Sequence, residues 1–320
     1  MRFATLPNGT PDGRLHIVSR DNSRCAPAKA AQTLQSALES WDALQGALQG
    51  EYDALNTGGG APFDAAAALA PLPRAWQWLD GSAFESHGDL MDAVFGFDKK
   101  EKTGRPLMYQ GVSDRFLAPC EDAVMPTTDD GIDFEGEFGV ICKATPMGTK
   151  KTATDHIALV VQINDWSLRK LAPIEMKTGF GWIQAKPACS MAAVAITPDE
   201  LGTAWRDARV DLPLNVSWNG EHFGAPNGYH MAFGFDDLLA HAAYSRNLVA
   251  GTVIGSGTVS NENFREIGSA CIAERRGIET LDEGAAKTPF MSYGDTVEME
   301  CVAADGTPLF GAITQKVVQA

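Results

Sequence analysis

Asp133, Glu135 and Glu137 stand at alternate positions of one short stretch of the chain. Because side chains alternate between the two faces of an extended strand, these three point the same way, and neighbouring members start about 6–7 Å apart. Carboxylates that close repel one another unless a positive group lies between them. A further acid, Asp165, follows the apolar run Ile157–Asn164, about one strand further along the chain.

Three of these acids, Glu135, Glu137 and Asp165, have the chemistry of a metal site. Mg²⁺ and Ca²⁺ are hard cations that bind carboxylate oxygens, and three convergent carboxylates suit one such ion. The alternative is that the acids line the solvated outer face of a sheet. The spacing by itself does not separate these two interpretations.

Two basic residues follow the acids. Arg169 lies four residues after Asp165, so a helix beginning there would return it to the same side. Its guanidinium could then bind a substrate carboxylate through two charge-assisted hydrogen bonds; the alternative is a surface salt bridge with Asp165. Lys186 lies among small and apolar residues, where it could stabilise a developing oxyanion; the alternative is an ordinary solvated lysine.

His87 is distinguished from the other five histidines by its polar neighbours in Ser86–Asp89. The carboxylate of Asp89, two residues on, could orient the imidazole and raise its basicity. A lone histidine is otherwise a structural residue, and the sequence around His87 leaves both roles open.

Gly255–Asn261 is a glycine loop whose amides and hydroxyls could line an anion. It lacks the third glycine of a dinucleotide-binding fingerprint and the G-x-S-x-G spacing of a nucleophile elbow. The loop therefore predicts a polar lining for a site, or only a tight turn.

Composition restricts the class of protein. The 320 residues are 44% hydrophobic and 21% charged, typical of a soluble globular protein with one large domain and a small one. The net charge of −15 argues against nucleic acid or an anionic membrane surface as a partner. No apolar run reaches the roughly 18–20 residues of a membrane span, and the first residues lack the apolar core of a signal peptide. The six cysteines are scattered singly, which is the pattern of neither a zinc site nor a dense disulfide framework. We expect a reduced, cytoplasmic protein.

The elements that hold these residues fall into two parts. Residues 1–71 contain two strand-like runs and an amphipathic helix that begins near Leu34 and ends at the glycines after Asn56, which predicts a small N-terminal domain and its linker. In residues 72–320 we predict a helix with a capping box at Thr197–Leu201, a second helix near Asp236, and a β-rich α+β fold. The expected strands of this part are Glu137–Cys142, Ile157–Asn164, Leu212–Trp218, Thr252–Ile254, Ser269–Arg275, Thr296–Cys301 and Leu309–Val317.

Five motifs occur in the second part: Pro106-Leu-Met-Tyr-Gln-Gly111, Asp133-Phe-Glu-Gly-Glu137, Asn164-Asp-Trp-Ser-Leu-Arg169, Gln184-Ala-Lys-Pro187 and Gly255-Ser-Gly-Thr-Val-Ser260. Taken together and in this order, they resemble the motifs of the fumarylacetoacetate hydrolase family. The resemblance extends from Asp80 to the C-terminus, and the first 70 or so residues look like the small extra domain of that family. It implies a catalytic domain of the family's mixed β-sandwich or roll type, and a homodimer.

The resemblance also implies a role for each matching residue. Glu135, Glu137 and Asp165 match the ligands of a divalent metal, Mg²⁺ or Ca²⁺, with Mn²⁺ as a further candidate. The other matches are Tyr109, Arg169, Gly257 and Thr258 for binding substrate, Lys186 for holding the oxyanion, His87 for activating water, and Asp89 or Glu274 as the acidic partner of His87.

Three departures from the family pattern concern the site. A fourth carboxylate ligand of the fumarylacetoacetases falls on Ala83 in this chain, where a water or Asp80 would have to substitute. A glutamine that follows the arginine falls on Ala172. The acid that partners the histidine is out of register, and Glu274, two residues beyond the expected place, would keep the right facing on a strand.

The activity that the resemblance implies is metal-dependent hydrolysis of a carbon–carbon bond in a 1,3-diketone acid, such as a fumarylacetoacetate-like or acylpyruvate-like substrate. A second interpretation is a metal-dependent 2-oxoacid hydratase, isomerase or decarboxylase that uses the same site. A third is a non-catalytic protein in which the metal only stabilises the sheet.

Overall fold

The computed structural model of the protein describes residues 1–95, 104–151 and 154–320. Most of this chain is short strands and loops. The strands are β1 (Arg2–Leu6), β2 (Arg14–Val18), β3 (Arg24–Pro27), β4 (Ala61–Pro62), β5 (Trp78–Ser82), β6 (Leu107–Gly111), β7 (Ala123–Met125), β8 (Ile132–Asp133), β9 (Gly136–Cys142), β10 (Ile157–Asn164), β11 (Ser167–Leu168), β12 (Ser190–Met191), β13 (Ala195–Ile196), β14 (Trp205–Arg206), β15 (Arg209–Val210), β16 (Asn215–Trp218), β17 (Glu221–Gly224), β18 (Val253–Gly255), β19 (Thr296–Glu300) and β20 (Ile313–Gln319). The α-helices are α1 (Leu34–Glu39), α2 (Trp41–Thr57), α3 (Glu85–Phe95), α4 (Ala172–Met176), α5 (Phe235–Ala242), α6 (Phe264–Ile267) and α7 (Ile272–Glu283). The prediction of a β-rich α+β fold is confirmed.

A large mixed sheet organises the molecule, with the strand order β4-β3-β2-β1-β13-β10-β9-β18-β5-β6 and β12 paired to β10. Its central pair, β9 and β10, is antiparallel, whereas β18 runs parallel to β5. A second sheet has the order β17-β16-β19-β20-β7.

Both faces of the central strands are covered. Val140 and Val160 belong to a core that also contains Val297 and Ile313 of the second sheet. Ile141, which points the other way, belongs to a core shared with the N-terminal helices. A strand buried on both faces needs apolar side chains at nearly every position, which explains why β10 was predicted with its observed bounds.

The N-terminal part is joined to the large sheet instead of standing apart from it. β1 pairs with β13, with Phe3 opposite Ala195, and α2 packs its buried residues Trp41, Leu48 and Tyr52 against the same core. The apolar stripe predicted as one helix is divided at Ser40, which has φ −126° and ψ 26°. The division of the chain at residue 71 remains a prediction.

Two predicted elements were wrong. Ser269–Arg275 is not a strand: the chain enters helix α7 at Ile272. Thr197–Leu201 does not form a capping box, because Thr197 Oγ1 makes its bonds with Met1 and Glu200 binds the terminal amino group and Arg2. The segment Pro198–Ala204 consists of 3₁₀ turns that are interrupted at Gly202, which has φ 55° and ψ −126°. In both places a partner distant in sequence determines the local structure.

Within the described residues, the helices are too short or too polar to cross a membrane.

Candidate active site

Three carboxylates from distant parts of the chain converge in the interior. Asp80 lies on β5, Glu137 on β9 and Asp165 just after β10, and one oxygen from each lies within 4.8 Å of the others. Their side chains are 3% exposed or less. Pairing of β9 with β10, and of β18 with both β9 and β5, brings these positions together in one sheet.

Gly257, in the predicted glycine loop, holds two of these carboxylates. Its backbone N–H donates to Asp80 Oδ1 at 3.2 Å and to Glu137 Oε2 at 3.1 Å. The residue has φ +77°, and a Cβ placed on it would lie 2.5 Å from the carbonyl oxygen of Gly81. Glycine is therefore required both for the left-handed backbone and for the close approach to β5.

The environment of the carboxylate triad, Asp80, Glu137 and Asp165, opposes its negative charge. Burial raises the pKa of Asp80 well above its usual range, and the charge of Asp165 adds to this. Burial and the charges of the two other acids do the same to the pKa of Glu137. Burial also raises the pKa of Asp165, although Lys186 opposes the effect. A divalent cation would relieve this repulsion.

The donor set of the triad fits such a cation. Glu137 Oε1 is buried and accepts no hydrogen bond from the described residues, so it is an oxygen with a free lone pair in a residue that belongs to the triad. Hard cations such as Mg²⁺, Ca²⁺ and Mn²⁺ take this kind of oxygen ligand.

Glu135 lies beside the triad, but both of its oxygens face cations of the chain. Oε1 is 2.6 Å from an Arg169 Nη, and Oε2 accepts a hydrogen bond from Lys186 Nζ at 2.7 Å. Burial alone would raise the pKa of Glu135, but Arg169 and Lys186 outweigh it and hold the pKa well below the usual range. The structure thus groups Asp80, not Glu135, with Glu137 and Asp165, and a ligand role for Glu135 remains a prediction.

The fourth carboxylate concerns Asp80, which was named above as a substitute ligand. The resemblance placed it at Ala83, but Ala83 follows β5 and contributes a backbone N–H to Ser256. The carboxylate lies three residues earlier, at Asp80, where the strand directs it toward Glu137. Ala172, which stands in place of the family's glutamine, begins α4.

Lys186 is fully paired in the interior. Its ammonium group donates to Asp165 Oδ2 at 2.5 Å, Glu135 Oε2 at 2.7 Å and Ser167 Oγ at 2.8 Å. Burial would lower the pKa of this lysine, but the charges of Asp165 and Glu135 raise it above the usual value. Lys186 is therefore a permanent cation among the carboxylates, and the interpretation as an ordinary solvated lysine was wrong.

Two further groups hold Asp165. The Tyr109 hydroxyl donates to Oδ2 at 2.8 Å, and the Cys189 thiol donates to Oδ1 at 2.8 Å. Burial raises the pKa of Tyr109 well above its usual value, with the charge of Asp165 adding to the effect. Burial and the charge of Asp165 also raise the pKa of the Cys189 thiol. Both groups therefore stay protonated and fix the orientation of the carboxylate.

Arg169 reaches the site by a different route from the predicted helix. The chain after Asp165 is extended, and Arg169 Nε donates to Asp133 Oδ2 at 2.7 Å while an Nη lies 2.6 Å from Glu135. A salt bridge forms, but with these two acids and not with Asp165. Binding of a substrate carboxylate by Arg169 remains a prediction.

Asp133, to which the sequence motifs assign no role, connects Arg169 with helix α7. Its completely buried carboxylate binds Arg169 and also accepts hydrogen bonds from Ile272 N at 2.8 Å and Ala273 N at 2.9 Å. These are the first two amides of α7, where a carboxylate is favoured by the helix dipole. Asp133 therefore fixes both Arg169 and the helix that carries Glu274.

His87 and Glu274 face each other between α3 and α7. Nδ1 of His87 lies 3.6 Å from Glu274 Oε1, and the Ser260 hydroxyl donates to the same oxygen. Asp89 is exposed on α3, because residues two apart on a helix point to nearly opposite sides. The acidic partner of His87 in the structure is therefore Glu274 and not Asp89. Glu274 was expected on a strand, but it lies on helix α7.

The remaining predicted contacts lie along the same loop. Thr258 follows Gly257 and is 6% exposed. Ser260 was missed as a partner of Glu274, and Asp80 was considered only as a substitute ligand. For Asp80 the missing signal was strand pairing over a long sequence distance. For Ser260 it was helix α7, which presents Glu274 to the glycine loop.

Comparison with known proteins agrees with this architecture. The family model described as fumarylacetoacetate (FAA) hydrolase C-terminal matches residues 77–318, and fumarylacetoacetase N-terminal domain 2 matches residues 1–74. No curated protein sequence matches the chain.

Several solved structures share the fold over the whole chain. A protein from Mycobacterium smegmatis described as an HpcE protein has a TM-score of 0.70 at 21% identity, and the match covers 100% of both chains. Maleylpyruvate hydrolase from Sphingobium sp. SYK-6, in complex with manganese(II) ion and pyruvate, has a TM-score of 0.67 at 16% identity, also covering 100% of both chains. The 5-carboxymethyl-2-hydroxymuconate delta-isomerase from Mycobacterium smegmatis has a TM-score of 0.62 at 16% identity, covering 100% of this chain and 99% of the other.

Proposed function

The chain belongs to the fumarylacetoacetate hydrolase family, and on that premise we propose that it is a divalent-metal-dependent hydrolase that cleaves a carbon–carbon bond in a 1,3-diketone acid. The substrate class is acylpyruvate-like or fumarylacetoacetate-like. The observation that carries the proposal is a buried carboxylate triad together with the His87–Glu274 couple, whose histidine is close enough to act electrostatically on Glu135 beside the triad. Together these groups can bind a metal and activate water.

The charge of the buried cluster supports the metal. Five acids are buried there: Asp80, Asp133, Glu135, Glu137 and Asp165. Among the described residues, the cations that pair with them are Lys186 and Arg169. An excess of negative charge of this kind is costly in a dry interior unless a cation compensates it.

Asp80, Glu137 and Asp165 would hold the ion, with Glu135 adjacent to them. Bound there, a divalent ion supplies Lewis acidity toward the oxygens of a 1,3-dicarbonyl or 2-oxoacid unit. Mg²⁺, Ca²⁺ and Mn²⁺ are the candidates, and the Sphingobium hydrolase of the same fold contains manganese with pyruvate.

His87 is the proposed base. Its Nδ1 faces Glu274 Oε1, so Nε2 is the nitrogen that accepts the proton from water. Glu274 stabilises the imidazolium that results, and its own bond from Ser260 keeps the carboxylate in place. The resulting hydroxide attacks a substrate carbonyl, and the carbon–carbon bond breaks with its electron pair on the carbon next to the second carbonyl. The proton held by His87 is then transferred to that carbon, which completes the hydrolysis and restores the base.

Lys186 is proposed to stabilise the oxyanion formed in that attack. All three ammonium protons already have acceptors, so one bond must be exchanged. Ser167 Oγ is the neutral acceptor among the three, and giving up a neutral partner costs less than giving up a carboxylate.

The proposal is tested by product analysis with NMR, using fumarylpyruvate, fumarylacetoacetate and acetylpyruvate side by side. Metal-depleted protein should be inactive, and added Mg²⁺ or Mn²⁺ should restore formation of the acid pair expected from hydrolysis. Absence of turnover of all three substrates at every metal tested would contradict the proposal.

A metal-dependent isomerase, hydratase or decarboxylase is the second candidate, since one structure of the same fold is a delta-isomerase. Isomerisation and decarboxylation would use the carboxylate triad without requiring an activated water. His87→Ala should therefore abolish hydrolysis of an acylpyruvate, whereas decarboxylation of oxaloacetate that persists in this variant would favour the second candidate. A large metal-dependent rise in Tm without any turnover would favour a purely structural metal.

The family also supports two proposals on organisation. A homodimer is the proposed state in solution, and light scattering of the purified protein measures it directly. A cytoplasmic location is proposed as well, and fractionation of cells that express the protein tests it.

A further inference from the structure

A surface glutamate binds the backbone of the segment that leads into the site. Glu175, on the short helix α4, accepts hydrogen bonds from three consecutive amides: Ile183 N at 3.1 Å, Gln184 N at 2.9 Å and Ala185 N at 3.0 Å. Successive amides that converge on one carboxylate form an anion-binding arrangement of the backbone. We call residues 172–185 the arch and these three bonds the clasp.

The clasp lies directly before Lys186. Ala185 is held from both sides, because its N–H donates to Glu175 and its carbonyl accepts from Leu168 N at 2.8 Å. The backbone of the next residue, Lys186, is therefore fixed at its N-terminal side, and from there its side chain extends to Asp165 and Glu135.

The arch also carries Trp182, which lies against the site. The Trp182 ring contacts Tyr109 edge-on, with ring centroids 4.6 Å apart, and Lys186 Nζ lies 5.8 Å from the Trp182 ring. The indole N–H donates to Ala172 O at 3.3 Å, which ties the two ends of the arch together. Trp182 therefore covers Tyr109 and Lys186, two of the groups that hold Asp165.

Hydrophobic burial does not hold the arch in place. Its large apolar side chains are outside the core: Phe180 is 96% exposed, Ile183 83% and Ile174 64%. The helix α4 spans only five residues, too few to be stable by its own hydrogen bonds. The charge-assisted bonds of Glu175 are thus the main described contacts that fix the arch.

We propose that Glu175 is a positioning residue, which sets Lys186 and Trp182 through the clasp and so controls the chemical step of the reaction proposed above. The inference rests on that proposed function, because Lys186 is given its role there. Glu175 itself makes no described contact with the triad or with His87.

The test compares Glu175→Gln with a matched control, Glu51→Gln. Glu51 also accepts two consecutive amides, Lys29 N at 2.7 Å and Ala30 N at 2.9 Å, but in the N-terminal part. In Glu175→Gln the neutral amide presents an N–H₂ group toward backbone N–H groups, so the clasp opens. We expect kcat to fall about 10–100-fold with KM changed less than about threefold, the range typical of residues that orient catalytic groups. Glu51→Gln should retain both constants.

A double-mutant cycle with Lys186→Met shows whether the effect passes through the lysine. If it does, adding Glu175→Gln to Lys186→Met should lower the residual kcat by less than about twofold. An undiminished loss in that background, or a kcat of Glu175→Gln equal to that of Glu51→Gln, would overturn the positioning role.

A structural readout separates this inference from the proposed function. Chymotrypsin should cut after the exposed Phe180 several-fold faster in Glu175→Gln than in the wild type or in Glu51→Gln, whether or not any diketone is turned over. Unchanged cleavage would refute the clasp even if wild-type turnover is established, whereas faster cleavage in a protein without turnover would leave the clasp standing and the proposed function refuted.

Discussion

Glu135 and Glu137 lie two residues apart, yet their surroundings give them opposite acid–base properties. Burial and the neighbouring acids raise the pKa of Glu137. Burial acts on Glu135 too, but Arg169 and Lys186 lower its pKa below the usual range. Glu135 is thus a carboxylate whose charge the chain already balances, while Glu137 requires a cation from outside.

This contrast predicts different results for the two glutamine variants. Glu137→Gln should weaken Mn²⁺ binding by at least about 100-fold and abolish turnover. The metal-free variant should remain as stable as the wild type, because the substitution removes a carboxylate that the neighbouring acids repel. Calorimetric titration with Mn²⁺ and the Tm of the metal-free protein are the measurements.

Glu135→Gln serves as the comparison. It removes one carboxylate partner from each of two buried cations, leaving Arg169 with Asp133 and Lys186 with Asp165, so the metal-free protein should lose about 3 kcal/mol of stability. The interpretation would be wrong if Glu137→Gln destabilised the metal-free protein more than Glu135→Gln does.

At the scale of elements, α7 and the strand β8 are joined by Asp133. Asp133→Asn should reduce the free energy of unfolding by about 3 kcal/mol, because it breaks a buried ion pair and weakens the cap of α7. Urea unfolding measures this change. Asp295→Asn, at an acid in a surface turn, is the control; equal effects of the two variants would show that Asp133 has no special structural role.

The glycine loop gives a second prediction at this scale. Gly257→Ala should weaken metal binding about tenfold or more, because the added Cβ meets the Gly81 carbonyl at 2.5 Å and displaces the amide that orients Asp80 and Glu137. Gly306→Ala is the matched control, with φ +84° and no atom within 4 Å of its Cβ. Equal Mn²⁺ affinities in both variants would exclude this role of the loop.

Elements whose burial is local could be predicted from the sequence. Strand β10 has its predicted bounds because both of its faces are covered and the apolar run is continuous. Helix α7 was taken for a strand because the short apolar run before Glu274 fits either structure. The carboxylate that caps this helix is Asp133, 139 residues from Ile272, a distance over which no local pattern extends.

The candidate site divides in the same way. Glu137, Asp165 and Lys186 stand in recognisable motifs, and the structure brings all three together. Asp80 was considered only as a substitute ligand because its partners lie on other strands: Glu137 is on β9 and Gly257 follows β18. Only the strand order of the large sheet shows that β5 is close to them.

At the scale of the whole molecule, the triad makes stability depend on pH. Its carboxylates have a pKa above the unfolded value, so the metal-free native state binds protons that the unfolded chain has released. Stability contributed by these groups is present below the usual carboxylate range and is lost as pH rises through their native pKa values. A bound divalent cation removes this penalty.

The increase in Tm caused by saturating Mn²⁺ should therefore grow from about pH 5 to about pH 8. Scanning calorimetry with and without the metal measures it at each pH. Glu137→Gln should largely remove the pH dependence, and an increase in Tm that is constant or shrinks with rising pH would contradict the assignment of the triad as the metal site.

The pairing of β1 with β13 has a consequence for how the chain can be divided. Without residues 1–71, β13 would present unpaired amides and carbonyls at the rim of the large sheet. Removal of these residues would also expose Ile141 and Leu159, which share a core with them. Such a rim is a template for intermolecular strand addition. By pairing with β13, strand β1 therefore protects this rim from intermolecular strand addition.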